Sequence, residues 1–136
     1  MSNRVQKAYD LALLFHKEQK DKVGADYILH PIYVAGQLNE ESEKIVALLH
    51  DTLEDTTATL DDFDFLTSEE KEALVCITKK ENDNYDDYIA RVKNNPLARK
   101  VKIEDLKHNL MENRGFKNTP EKIEKYKQSL KFLQDD

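Results

Sequence analysis

Histidine and aspartate stand side by side in the segment Leu48-Leu49-His50-Asp51-Thr52-Leu53-Glu54-Asp55-Thr56. A carboxylate so close to apolar positions is costly to bury without a partner. An imidazole and a carboxylate together suit a divalent metal ion. Glu54 and Asp55 follow Asp51 by three and four residues, one helical turn on and near the same face. Three further stretches carry side chains of the same chemical type. His30 lies where a polar loop meets a helix, beside Pro31, which fixes the local backbone. Asp105 shares a helical face with Val101 and Asn109 at i−4 and i+4. Tyr88 and Arg91 are three apart on one face, a spacing at which they could hold a phosphate or a base. Taken singly, His30 also fits a hydrogen-bonded core histidine, Asp105 a solvated acid, and Tyr88 and Arg91 a core tyrosine and a surface arginine. The order His, His-Asp, Asp is what sets these residues apart.

The elements that must position them read as helices. With 3 glycines and 3 prolines in 136 residues the chain has few breaks. Val5, Ala8, Ala12 and Phe15 recur at helical spacing, and residues 20–25 form a polar loop. Pro31 suits the first turn of a helix reaching about Leu38, and Ser42 is a candidate cap for the next. That third helix, from about Glu43 to Asp55, is apolar around much of its circumference and so is expected at the centre. A helix from Ser68 toward Thr78 carries acids in its first turn. One from Tyr85 to Lys93 is stopped by Asn94-Asn95-Pro96. A longer helix runs from Pro96 to about Asn113, with Gly115 as its cap. Thr119-Pro120 opens a last helix over about 119–134, whose stripe is Ile123, Tyr126, Leu130 and Leu133. No window alternates apolar and polar residues, so an all-α fold is expected, as one domain over 1–136 with its core in about 8–113.

The balance of 21 Lys and Arg against 27 Asp and Glu gives a net charge of −6, which speaks against nonspecific binding to nucleic acid or an anionic membrane. The single Cys76 suits a reducing compartment, and no stretch approaches the ~20 apolar residues of a membrane span. A cytoplasmic location is expected. Homo-oligomerisation is left open by the sequence. Cys76 lies among Leu74, Val75 and Ile77 as a buried thiol, and His16 and His108 read as surface or packing residues.

The stretches Tyr27-Ile28-Leu29-His30-Pro31-Ile32-Tyr33-Val34-Ala35, Ala47-Leu48-Leu49-His50-Asp51-Thr52-Leu53-Glu54-Asp55-Thr56 and Val101-Lys102-Ile103-Glu104-Asp105-Leu106-Lys107-His108-Asn109 resemble HD-domain metal-dependent phosphohydrolases. The resemblance is nearest to the hydrolase domain of the RelA/SpoT family and its small stand-alone relatives, and it extends from about Ala8 to Asn113. It implies that His30, His50, Asp51 and Asp105 bind one divalent metal, typically manganese, with iron or zinc also compatible. It implies that Glu54 and Asp55 position or deprotonate the attacking water, and that Asn109 contacts the nucleotide sugar. Other substrate contacts fall on Lys22, Tyr27, Tyr88 and Arg91, the last two in a Tyr-x-x-Tyr-Ile-x-Arg segment. The implied activity is hydrolysis of a nucleotide-type phosphate or pyrophosphate ester, most nearly that of a (p)ppGpp 3′-pyrophosphohydrolase. A nucleotidase or other phosphomonoesterase is the alternative, and a nucleotide-binding module without turnover is a third. Two departures bear on the base: a stacking arginine of the family stands in register with Asp21, beside Lys20 and Lys22, and an Asp-Arg pair is Asp105-Leu106. An acid cannot supply planar cationic stacking.

Overall fold

The computed structural model describes residues 2–20, 24, 26–111 and 119–135. It is all-α: among the described residues the only β pairing is an isolated antiparallel bridge between Lys20 and Asp26. Helix α1 (Asn3–Phe15) begins at Ser2, whose hydroxyl accepts the Val5 amide, and buries Val5, Ala8 and Ala12, the stripe read from the spacing. Helix α2 (Leu29–Gly36) starts two residues before Pro31 and buries His30, Pro31, Val34 and Ala35.

Helix α3 (Glu41–Leu49) is the central element. It is buried from Ile45 through Leu49 and packs against α1 and α2. Its cap is Glu40, in a reciprocal bond with Glu43, rather than Ser42. Ser42 instead donates its hydroxyl to Glu70 at 2.5 Å. The continuous helix expected from Glu43 to Asp55 does not form: α3 ends at Leu49, and a separate single turn, α4 (Thr52–Asp55), follows. The break has a local cause. His50 Nδ1 lies 2.5 Å from the Ala47 carbonyl and the Thr52 hydroxyl donates to the Leu49 carbonyl at 2.7 Å, so side chains serve carbonyls at the end of α3. Asp51 sits at φ −101°, ψ −3°, a bridge conformation that joins the two segments at an angle.

After a short 3-10 turn over Leu60–Phe63 comes α5 (Ser68–Ile77), capped by Thr67, one residue ahead of the expected Ser68. Helix α6 (Tyr85–Lys93) is capped by Asn84, which accepts the Asp86 and Asp87 amides. Helix α7 (Pro96–Asn109) is capped by Asn95 and ends before the expected Asn113. Gly115, the expected cap there, lies outside the described residues. Helix α8 (Pro120–Gln134) is capped by Thr119 and buries Leu133, with Tyr126 and Leu130 half-buried against the core. Helix α7 touches α2, α3, α5, α6 and α8. α2, the end of α3 and α7 thus meet where the chemistry-bearing residues sit. No helix of the described residues is long and apolar enough to cross a membrane.

Candidate metal centre and its acidic ridge

Three elements contribute four residues to one buried cluster. α2 brings His30, the break after α3 brings His50 and Asp51, and α7 brings Asp105; all but the half-buried Asp51 are under 5% exposed. His30, His50 and Asp51 each offer a ligand atom, all within 4.8 Å of one another. His50 Nε2 is 3.2 Å and His30 Nε2 3.9 Å from Asp51 Oδ2. Asp105 Oδ1 adjoins the two histidines of that set, 2.7 Å from His30 Nε2 and 3.4 Å from His50 Nε2. Two imidazole nitrogens and two carboxylate oxygens converging in a buried space fit a divalent cation by donor type and by burial.

The surroundings orient each ligand. Tyr27 donates its hydroxyl at 2.6 Å to Asp51 Oδ2, the same oxygen that faces His30 and His50. Burial first, and then Asp51, hold the Tyr27 phenol protonated far above its ordinary range. The outer oxygen of Asp105 accepts from Lys102 Nζ at 2.9 Å, and Asn109 Nδ2 donates to its inner oxygen at 3.2 Å. Burial disfavours the Asp105 carboxylate, but Lys102, His30 and His50 outweigh it and hold its pKa well below the usual carboxylate range. His50 shows the converse: burial lowers its pKa, yet Asp51 and Asp105 carry it up to about 9 in the metal-free protein.

His108 and Lys102 are the residues that sequence reasoning missed. His108 is buried rather than peripheral, with Nδ1 2.7 Å from His30 Nδ1 and its ring stacked on His30 at 4.9 Å and on Tyr33 at 4.0 Å. In a neutral pair, one of the two facing Nδ1 atoms carries the proton. When His30 offers the Nε2 lone pair to a cation its proton is on Nδ1, and His108 Nδ1 must accept it. His108 therefore fixes the tautomer of a candidate ligand. Its signal in the sequence was its place three residues after Asp105, on the turn that also carries Asn109.

Beside the cluster runs an acidic ridge. Asp51, Glu54 and Asp55 offer oxygens within 4.8 Å of one another. Burial, then Asp55 and Asp51, push the Glu54 carboxyl up to about 7, and burial and Asp51 raise Asp55 as well. The remaining substrate candidates are distributed unevenly. Tyr88 is buried beside the centre, its hydroxyl donating to the Ile77 carbonyl at 2.6 Å and its ring 5.5 Å from Lys102 Nζ. Arg91 is tied to the end of α5, to the carbonyls of Cys76 and Thr78 and to Asp83 at 3.2–3.3 Å. There it lines a separate cavity of about 510 Å³ with Cys76, Lys71 and Lys80. Cys76 is buried as expected, and burial raises its thiol pKa. Lys22 and Asp21 lie outside the described residues.

No family model matches the chain. It is 48% identical over 65 residues to a guanosine-3′,5′-bis(diphosphate) 3′-pyrophosphohydrolase of Aquifex aeolicus, a match covering 45% of this chain and 9% of that protein. It is 43% identical over 75 residues to the GTP pyrophosphokinase rsh of Brucella melitensis, covering 52% and 10%. A probable guanosine-3′,5′-bis(diphosphate) 3′-pyrophosphohydrolase of Synechocystis matches at 37% over 83 residues, covering 57% and 10%. The chain thus spans about a tenth of the length of the curated relatives it matches. A solved structure of a metazoan ortholog of SpoT, described as hydrolysing ppGpp, superposes with a TM-score of 0.74 at 19% identity, over 98% of this chain and 87% of that one. The resemblance to RelA/SpoT-type enzymes is thereby borne out: the chain is similar in sequence to them over roughly half its length and similar in fold to a SpoT ortholog over nearly all of it.

Proposed function

We propose that the protein is a metal-dependent phosphohydrolase of a nucleotide-type phosphate or pyrophosphate ester, closest in activity to a (p)ppGpp 3′-pyrophosphohydrolase. The observation that carries this is the convergence of His30, His50 and Asp51 ligand atoms within 4.8 Å, next to an acidic ridge that shares Asp51. The names of the sequence relatives supply the substrate class.

His30 Nε2, His50 Nε2, Asp51 and Asp105 would hold the cation, for which manganese is the first ion to test. A bound divalent ion supplies Lewis acidity, which polarises a phosphoryl oxygen and makes a water more acidic. Glu54, whose carboxyl is shifted toward neutrality, is the proton acceptor for the attacking water, and Asp55 orients that water from the next position along the ridge. Lys102 balances the charge of Asp105 from behind, so that Asp105 remains a carboxylate while buried. Asn109, bonded to the inner oxygen of Asp105, would contact the sugar of a nucleotide substrate.

Metal-loaded protein should be assayed against ppGpp, pppGpp, NADPH and nucleoside monophosphates. Pyrophosphate release from ppGpp, absent after chelation and restored by manganese, is the expected result. Phosphate release from monophosphates with silence on ppGpp would overturn the pyrophosphohydrolase assignment in favour of a phosphomonoesterase, the activity that Asp21 in place of a stacking arginine favours. Tight binding of one nucleotide without turnover of any would mark a non-catalytic module.

A further inference from the structure

Behind the acidic ridge lies a buried histidine that nothing above uses. His16 caps the end of α1, is 2% exposed, and has a ring nitrogen, Nε2, with no hydrogen-bond partner among the described residues. Its other nitrogen, Nδ1, is 2.8 Å from Gln19 Oε1. The Gln19 amide in turn donates to the main-chain carbonyl of Asp55 at 2.8 Å. That carbonyl can only accept, so the Gln19 amide faces it with NH2 and turns its oxygen to His16. His16 Nδ1 must then be a donor.

The same turn holds the other end of the ridge. Gln19 accepts the Tyr27 amide on its main-chain oxygen at 2.9 Å, and the His16 ring lies against the Tyr27 ring at 5.0 Å. Tyr27 donates to Asp51 at 2.6 Å. One turn, residues 16–19, therefore sends one arm through Gln19 to the backbone of Asp55 and another through Tyr27 to the carboxylate of Asp51. Asp55 ends the single-turn helix α4, too short to hold its own direction.

We infer that His16 and Gln19 form a positioning clamp that fixes α4, and with it Glu54 and Asp55, at a set angle to the metal centre. The clamp's effect on turnover rests on the hydrolase assignment above; its effect on α4 does not. His16 and Gln19 are positioning residues that touch no ligand atom. His16 acts through one N–H, so an asparagine, whose amide N–H falls near the place of Nδ1–H, should replace it and a leucine should not.

The test uses the full chain with His16→Asn, His16→Leu and Gln19→Met. Hydrogen exchange by mass spectrometry is followed over residues 52–58, with 98–108 of α7 as the internal reference. Loss of one buried hydrogen bond is expected to raise exchange over 52–58 about tenfold in His16→Leu and Gln19→Met, with α7 unchanged. His16→Asn should exchange as wild type does. Where wild type hydrolyses ppGpp, kcat should fall about tenfold or more in the first two variants with KM altered less than about threefold, and recover in His16→Asn. Unaltered exchange over 52–58 in both Gln19→Met and His16→Leu would overturn the clamp, as would His16→Asn behaving like His16→Leu. Gln19 is only half-buried, so that variant keeps the test decisive should His16→Leu fail to fold. A wild type without hydrolase activity would refute the assignment above and leave the exchange result to decide the clamp.

Discussion

Two groups of carboxylates sit at opposite ends of α3, one buried and one largely exposed, and they are built on different plans. At the first turn, Glu70 is fully buried and every acceptor it has is met: by the Arg4 guanidinium, by the Ser42 hydroxyl at 2.5 Å and by the Thr67 amide at 3.0 Å. Burial acts against ionisation there, but Ser42, Thr67 and Arg4 prevail and the pKa falls. Past the last turn, Asp51, Glu54 and Asp55 face one another with their oxygens within 4.8 Å, and the pKa values of Glu54 and Asp55 rise. The first group is a closed network that ties α1, α3 and α5 together. The second draws three carboxylates together with only partial relief from Lys102, Lys79 and His50, and a neighbouring cation would relieve it further.

The contrast can be broken most forcefully at the ligands. His50→Ala and Asp105→Asn should lower kcat/KM on ppGpp by about a thousandfold or more and abolish stoichiometric metal binding, since each removes a donor from the centre. Steady-state kinetics with metal analysis on the same samples would check both. Glu54→Gln should lower kcat by roughly a hundredfold while leaving metal content intact, as expected of a lost general base. The same variant sharpens the comparison in a second way. The Glu54 carboxyl titrates at about 7 in the fold against 4.5 in the unfolded chain, so ionising it destabilises the metal-free protein as pH rises through that window. Metal-free Glu54→Gln should therefore melt above wild type at pH 8 and level with it at pH 4.

His108→Phe, which keeps a flat ring between His30 and Tyr33 but removes the acceptor for His30 Nδ1, should weaken metal affinity about 10- to 100-fold. Isothermal titration with manganese measures this. At the closed network the expectation inverts. Glu70→Gln should lower stability by about 2–3 kcal/mol in denaturant melts and leave the specific activity of the folded enzyme unchanged. Because the Glu70 pKa is depressed, its contribution is present above the unfolded value of 4.5 and is lost as pH falls through the folded value. Wild type should thus lose more stability than Glu70→Gln on acidification below about pH 5.

What could be read in the sequence was what depends on short spacing. The buried stripe Val5, Ala8 and Ala12, the break at Asn94-Asn95-Pro96, the helix start at Thr119-Pro120, and the adjacency of His50 and Asp51 are all local patterns. Most of the features that escaped depend on residues far apart in the chain. His108 looked peripheral because its partner His30 is 78 positions away. Ser42 looked like a helix cap because its acceptor Glu70 is 28 positions on. The break at Leu49 escaped because apolar periodicity continues through Leu53, while the helix ends where His50 and Thr52 bond to backbone carbonyls. The centre was legible as a set of residue types; the tautomer-setting histidine became visible only with α2 and α7 in contact, and Lys102, three residues before Asp105, only once Asp105 proved buried.

The proposed chemistry turns on one cation held by His30, His50, Asp51 and Asp105 beside the ridge. Equilibrium dialysis of metal-stripped wild type and His50→Ala against manganese, with bound metal counted per chain, tests it most directly. The expected result is one ion per wild-type chain at saturation and none in the variant. Equal binding by both proteins, or none by either, would contradict the assignment.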